Sequence, residues 1–76
     1  MVYRNNLKIF RWRAGFDKAY EFAHKLGIPS QTLSMIERGR HDPRLDLKTK
    51  MVSILDNALR VKGETKPLNV QDVFPS

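Results

Sequence analysis

The sequence predicts an all-α fold, a compact bundle of four to five short helices. Apolar residues recur at three- and four-residue intervals along most of the 76 residues, which is the spacing of one helix face. Each of the four glycines follows such a stretch, where a left-handed residue can end a helix. The four prolines fall between or beside the stretches, because a helix interior needs the N–H that proline lacks. We expect a single domain over residues 1–76, since so short a chain cannot form two.

The first two helices are predicted from their apolar stripes. Helix 1 extends from about Asn5 to Ala14, and its inner face includes one arginine: Leu7, Phe10, Arg11 and Ala14. Helix 2 extends from about Lys18 to Leu26, with Asp17 placed to cap its first amides. The inner face of helix 2 consists of Ala19, Phe22, Ala23 and Leu26.

The remaining helices differ in how much apolar surface they carry. Helix 3 covers about Ser30 to Arg38, and only Leu33 and Ile36 repeat at helical spacing, so most of its surface is polar. Helix 4 runs from about Leu45 or Asp46 to Arg60, with a broad inner stripe: Leu47, Met51, Ile54, Leu55, Ala58 and Leu59. A short C-terminal turn is expected over residues 68–76, with Asn69 capping Val70 to Phe74.

Composition narrows the class of protein. The chain has 14 Lys and Arg against 8 Asp and Glu, a formal net charge of +6, which is typical of proteins that bind a polyanion. The same excess also serves solubility alone, so composition leaves both interpretations open. There is no cysteine, and no apolar run is long enough for a signal sequence or a membrane span. We expect a soluble cytoplasmic protein.

Motifs that carry enzymatic chemistry are missing from the sequence. His24 and His41 have no second ligand at helical spacing, and there is no glycine-rich phosphate loop and no G-x-S-x-G motif. We therefore expect no enzyme, no cofactor, no bound metal and no small-molecule substrate.

Residues 19–38 form the most specific pattern in the chain. Ala23 has to be small if the second helix crosses close above it, and Gly27 permits a left-handed turn between the helices. Apolar residues then fill the angle between the two helices: Ile28, Leu33 and Ile36. This is the packing of two helices joined by a tight turn.

The motifs A-x-x-x-G-I at Ala23–Ile28 and T-L-S-M-I-E-R-G at Thr32–Gly39 carry a family resemblance. Through them the sequence resembles the phage repressor and Cro-like (XRE-type) helix-turn-helix family. The likeness continues more weakly over Leu7–Gly15, Pro43–Leu55 and Val70–Phe74. It implies a lambda-repressor-like fold and a small transcriptional regulator, a repressor by analogy, that binds double-stranded DNA with helix 3 in the major groove.

The resemblance also assigns a role to the arginine on the inner face of helix 1. In the family, an arginine late in helix 1 pairs with a glutamate at the end of the recognition helix, and Arg11 and Glu37 occupy these positions. A bidentate, partly buried pair of this kind would orient the ends of two helices. The alternative is an unpaired Arg11 that reaches solvent.

Base-reading positions carried over from the family are Ser30, Gln31, Ser34 and Met35. Gln31 can bridge N6 and N7 of adenine, a serine can donate or accept, and Met35 can contact a thymine methyl. The alternative is an ordinary solvated helix face. The leading candidates for phosphate contacts are Arg38, Arg40, Arg44 and Lys48. Thr32 is also a candidate, and Lys18 and Lys25 are second choices. Any of the basic residues could instead serve solubility alone.

Two departures from the family pattern favour a different function. Ala19 stands where family members often carry a phosphate-binding glutamine, and Pro29 replaces the usual Ser or Thr cap of the recognition helix. The alternative function is an antitoxin or a protein-interaction module that keeps the fold and binds DNA weakly.

A homodimer, at least on DNA, is expected because one short helix reads few base pairs, whereas two half-sites about 34 Å apart supply specificity. The candidate contact residues are Leu59, Val61, Leu68 and Phe74. The alternative is that these residues only seal the core. Trp12 and Tyr3 are expected to cover the core.

Overall fold

The computed structural model describes residues 2–75, and over this range the chain forms helices and no strand. The helices are α1 (Leu7–Arg13), α2 (Ala19–Leu26), α3 (Ser30–Glu37), α4 (Leu45–Val61) and α5 (Val70–Val73). None of these helices is both long enough and apolar enough to cross a membrane. The predicted all-helical fold is confirmed, with helix boundaries that shift by one or two residues.

One hydrophobic core joins all five helices. Its largest fully buried side chains are Leu7, Phe22, Leu33, Ile36, Met51, Leu55 and Val73, so every helix contributes at least one. The inner faces predicted for α1 to α4 are confirmed, because each of their apolar residues is buried in this core or packed against it. The core therefore fixes how α3 is presented to solvent.

Two aromatic residues do not cover the core as expected. Trp12 is 68% exposed and Tyr3 is 40% exposed. Successive helical residues are about 100° apart, so Trp12 turns away from the inner stripe that Leu7, Arg11 and Ala14 occupy. Tyr3 precedes α1 and is attached through its backbone instead, its N–H donating to the carbonyl oxygen of Gly39 at 2.7 Å. The prediction for both residues was wrong.

The C-terminal residues considered for a dimer contact are mostly part of the core. Leu59 and Phe74 are buried, and Leu68 packs against the core, whereas Val61 is 84% exposed. A dimer contact through Leu59 and Phe74 is therefore wrong, since neither side chain is accessible. The structure favours the alternative that these residues seal the core.

Capping was predicted correctly for one helix and incorrectly for another. At α5, the Asn69 N–H donates to Asp72 Oδ2 at 2.8 Å, and the Asn69 side chain accepts from the Asp72 amide. This reciprocal capping confirms the prediction for Asn69. At α2, the residue before the first helical turn is Lys18, with no side-chain cap hydrogen bond, so the cap predicted at Asp17 was wrong. The helix begins one residue too late for Asp17 to reach its first amides.

Asp56 on α4 attaches the segment that leads to α5. Its Oδ1 accepts from the Leu68 N–H and its Oδ2 from Arg60 Nε, both at 3.0 Å. The Leu68 hydrogen bond, followed by the hydrogen bond and charge of Arg60, lowers the pKa of the Asp56 carboxyl below its ordinary value. Ionised Asp56 therefore stabilises the fold.

A lowered pKa implies a defined loss of stability in acid. The stabilisation is present above the ordinary aspartate pKa of about 3.9 and disappears as the pH falls through the lower folded-state value. We expect Asp56→Asn to be less stable than the wild type at pH 7, and the difference to shrink below about pH 4. Urea unfolding at a series of pH values measures both. A difference that stays constant into acid would contradict the role given to the ionised carboxylate.

Candidate nucleic-acid interface

The turn between α2 and α3 is short and depends on a glycine. Gly27 adopts a left-handed conformation with φ of 74°, which few other residues tolerate. The Ile28 N–H donates a hydrogen bond to the Ala23 carbonyl at 3.1 Å, which caps the C-terminal end of α2. Pro29 follows with extended backbone, and α3 begins at Ser30. Three residues, 27–29, thus form the whole connection between the two helices.

The two helices pack directly against each other through small and apolar side chains. Ala23 is 1% exposed and lies in the same buried cluster as Leu33 and Ile36. A larger residue at position 23 would push α3 outward, since tightly packed interiors resist added volume. The predicted packing of the two helices is therefore present.

The outward face of α3 is polar except for one methionine. The positions proposed to read bases are all accessible: Ser30, Gln31 and Met35 are exposed and Ser34 is half-buried. At about 100° per residue these four lie within about 140° of arc, opposite Leu33 and Ile36. One helix face thus combines hydrogen-bonding groups with a flexible apolar side chain, the groups that major-groove recognition uses.

The first turn of α3 leaves its backbone amides without a side-chain cap. Pro29 occupies the cap position and makes no side-chain hydrogen bond. Thr32, in the same turn, is half-buried. The start of the helix therefore keeps unpaired N–H groups and the positive end of its dipole.

Most of the basic residues proposed to contact phosphate are exposed. Arg38 follows the last residue of α3, Arg44 precedes α4, and Arg40 lies in the connection between them. Lys18, before α2, is also exposed, with Nζ 5.9 Å from the centre of the Tyr20 ring. The structure thus places positively charged side chains after α3, before α4 and before α2.

Lys48 differs from the other basic candidates because it already has partners in the protein. Its Nζ lies 2.9 Å from Asp42 Oδ1 and 5.3 Å from the centre of the Phe74 ring. The side chain retains 21% exposure. A phosphate contact by Lys48 would compete with the carboxylate of Asp42.

Arg11 and Glu37 lie together between α1 and the end of α3. Arg11 Nε donates to Glu37 Oε2 at 2.7 Å, and the two side chains are only 7% and 9% exposed. The expected two-pronged contact is not formed, because Arg11 Nη1 donates to the Phe16 carbonyl at 2.6 Å instead. The guanidinium therefore joins three parts of the chain: α1, the loop before α2 and the last turn of α3.

The sequence analysis missed a contact at the other end of α1. Asn5 Oδ1 accepts from the Leu7 N–H at 3.0 Å, and Asn5 Nδ2 donates to the Ile36 carbonyl near the end of α3 at 2.7 Å. An asparagine just before a helix is a recognisable capping signal. Its second partner, 31 positions away, has no local signal.

Across residues 2–75, no group of three or more His, Cys, Asp or Glu side chains is arranged to hold a metal ion. The candidate interface combines a helix face, flanking cations and backbone amides.

Comparison with known proteins agrees with this geometry. A family model described as helix-turn-helix matches residues 13–62, which include α2, α3 and α4. No curated protein and no solved structure matches the chain. The family match covers well over half of the 76 residues and confirms the resemblance carried by the two motifs. The chain therefore belongs to the Cro/C1-type helix-turn-helix family of DNA-binding regulators.

Proposed function

We propose that this protein is a sequence-specific transcriptional regulator, a repressor, that places α3 in the major groove of double-stranded DNA. The observation that carries the proposal is the polar outward face of α3, held by the buried contacts of Ala23, Leu33 and Ile36. Because all five helices share one core, the proposal treats residues 1–76 as one domain. The proposed site of action is the cytoplasm.

Base recognition is assigned to the accessible face of α3. Gln31 presents an amide donor and acceptor that match N6 and N7 of adenine. Ser30 and Ser34 offer hydroxyl groups that donate or accept, and Met35, 42% exposed, offers an apolar contact to a thymine methyl. These side chains determine which sequence is bound.

Phosphate contacts are assigned to the residues around α3. Arg38, Arg40 and Arg44 are the principal candidates because all three are exposed between the end of α3 and the start of α4. Lys18, Lys25, Thr32 and Lys48 complete the proposed set, and Lys48 would have to exchange Asp42 for a phosphate. Contacts of this kind fix the register of α3 and make affinity fall with salt.

Dimerisation on DNA is part of the proposal because α3 spans only eight residues. One such helix contacts few base pairs, and two copies on half-sites about 34 Å apart would read a longer sequence. Sedimentation of the protein with a selected duplex tests this, and one copy per specific duplex would count against it.

Two substitutions distinguish base reading from phosphate binding. We expect Gln31→Ala to reduce discrimination at one base position by about 1–3 kcal/mol while affinity for unrelated DNA stays the same. We expect Arg38→Ala to weaken binding to all duplexes alike and to lower the salt slope by about one unit. Selection of bound sequences from random duplexes, followed by salt titration, measures both effects.

Equal affinity of the wild type for every duplex would refute sequence-specific regulation. Gln71→Ala serves as the control for Gln31→Ala, because Gln71 is an exposed glutamine on α5 rather than on α3. It should leave the selected sequence unchanged.

A second candidate function is a protein-interaction module such as an antitoxin, and one structural feature favours it. Ile9 and Trp12 lie one helical turn apart on α1, 59% and 68% exposed, on the side opposite its buried stripe. Exposed apolar residues of this size occur at protein interfaces. Two results together would favour this function over the first. The protein would bind all DNA sequences weakly, and it would bind a stoichiometric protein partner that the Trp12→Ser variant does not bind.

A further inference from the structure

Residues 2–5 lie against the connection between α3 and α4. The Tyr3 N–H donates to the Gly39 carbonyl at 2.7 Å. A Cβ atom at Gly39 would lie 2.9 Å from both the Tyr3 carbonyl oxygen and Val2 Cγ1, and Gly39 has φ of 77°. Only glycine fits this position without displacing the segment.

The same segment is held again immediately after Arg4. Asn5 Nδ2 donates to the Ile36 carbonyl at 2.7 Å, and the Asn6 N–H donates to the Val73 carbonyl at 2.7 Å. Arg4 therefore lies between two attachments to the end of α3. Its backbone is fixed while its side chain is exposed.

Arg4, Arg38 and Gly39 line the same shallow hollow. One carboxylate lines this hollow and another lies in the connection after α3, and both already have cationic partners. Glu37 pairs with Arg11 at 2.7 Å, and Asp42 pairs with Lys48 at 2.9 Å. Within residues 2–75, Arg4, Arg38 and Arg40 form no ion pair with a carboxylate. The surface is therefore positive, because its cations are not neutralised internally.

We propose that Arg4 is a further DNA-contact residue, which joins Arg38 and Arg40 on the phosphate backbone beside the end of α3. The inference rests on the proposed function and extends its interface to the segment before α1. The anchored backbone reduces the conformational entropy lost when the arginine binds, compared with an arginine on a free chain end. Because its target is phosphate, Arg4 raises affinity without selecting sequence.

Salt titration of binding to the selected duplex tests this proposal. Arg4→Ala should lower the magnitude of the slope of log K against log salt concentration by about 0.9, the contribution of one phosphate contact. Affinity should fall several-fold for every duplex, and the preferred sequence should not change. The control is Lys66→Ala, which removes the same charge from the exposed loop before α5. It should leave the slope close to that of the wild type.

A second variant tests whether the anchoring matters. Tyr3→Pro removes the N–H that donates to Gly39 but keeps Arg4. It should lose most of the Arg4 contribution to the slope, with a circular dichroism melt showing that the helices remain folded.

The possible failures are distinguishable. If the wild type has a steep salt slope and Arg4→Ala changes it no more than Lys66→Ala does, the role of Arg4 is wrong. The proposed function would then still stand. A flat wild-type slope would overturn both. If Tyr3→Pro keeps the wild-type salt slope while Arg4→Ala has a reduced slope, the hydrogen bond from Tyr3 to Gly39 is not needed for the Arg4 contact.

Discussion

Glu37→Ala is expected to lower the free energy of unfolding by about 3–5 kcal/mol, one of the two largest effects of any single substitution considered. The change leaves the buried Arg11 side chain, which is 7% exposed, without its carboxylate. A small domain is stable by only about 5–15 kcal/mol, so much of the total would be lost. Thermal unfolding should show a midpoint lower by at least about 12 °C.

The chain provides a matched control for this effect. Arg13 and Glu64 form an ion pair at 3.0 Å, but their side chains are 47% and 44% exposed. Solvent screens such a pair, so Glu64→Ala should cost less than about 1 kcal/mol. If Glu37→Ala lowers the free energy of unfolding no more than Glu64→Ala does, burial does not increase the contribution of the Arg11–Glu37 pair to stability.

A double variant separates the penalty of an unpaired charge from the value of the pair itself. Arg11→Met combined with Glu37→Leu removes both charges and fills the space with apolar groups. We expect it to recover most of the stability lost in Glu37→Ala, because desolvation offsets much of what a buried pair contributes. Stability as low as that of Glu37→Ala would show that the pair is strongly stabilising on its own.

The sequence was sufficient to predict the helices and their inner faces because those features repeat at a fixed spacing. Leu33 and Ile36 were recognisable as the buried stripe of α3, and Asn69 as a cap, from neighbouring residues alone. The same spacing places Trp12 outside the inner stripe of α1, whereas its hydrophobicity had suggested that it covers the core. Folded proteins leave much apolar surface exposed, so hydrophobicity does not decide the position of a single tryptophan.

The site was predictable where a family motif covers it and unpredictable where distant segments meet. The motif around Gln31 and Glu37 indicated which positions of α3 face outward and which residue meets Arg11. Nothing in the order of residues indicates that the Tyr3 N–H binds the Gly39 carbonyl, since that contact depends on how the whole core assembles. The proposed DNA contact of Arg4 depends on this arrangement and therefore has no signal in the sequence.

Phe22→Ala is the other substitution with a large expected effect, a loss of about 3–5 kcal/mol in the free energy of unfolding. Phe22 is fully buried, and its ring centre lies 5.2 Å from that of Phe16. Removing the ring leaves a cavity in the core that Phe22 shares with Ala23 and Leu33. Urea unfolding followed by circular dichroism measures the loss, and DNA binding should weaken at least in proportion to the unfolded fraction.

Tyr20→Ala is the control for this change, because it removes an aromatic ring from the same helix at a position that is 57% exposed. It should alter the free energy of unfolding by no more than about 0.5 kcal/mol. The comparison also tests how α3 is held. If Phe22→Ala is destabilised yet binds the selected duplex with full affinity well below its unfolding midpoint, α2 supports the fold without setting the position of α3. A loss of affinity in the folded variant would instead show that the core positions the proposed recognition face, because a cavity there lets α3 shift relative to the arginines proposed to contact phosphate.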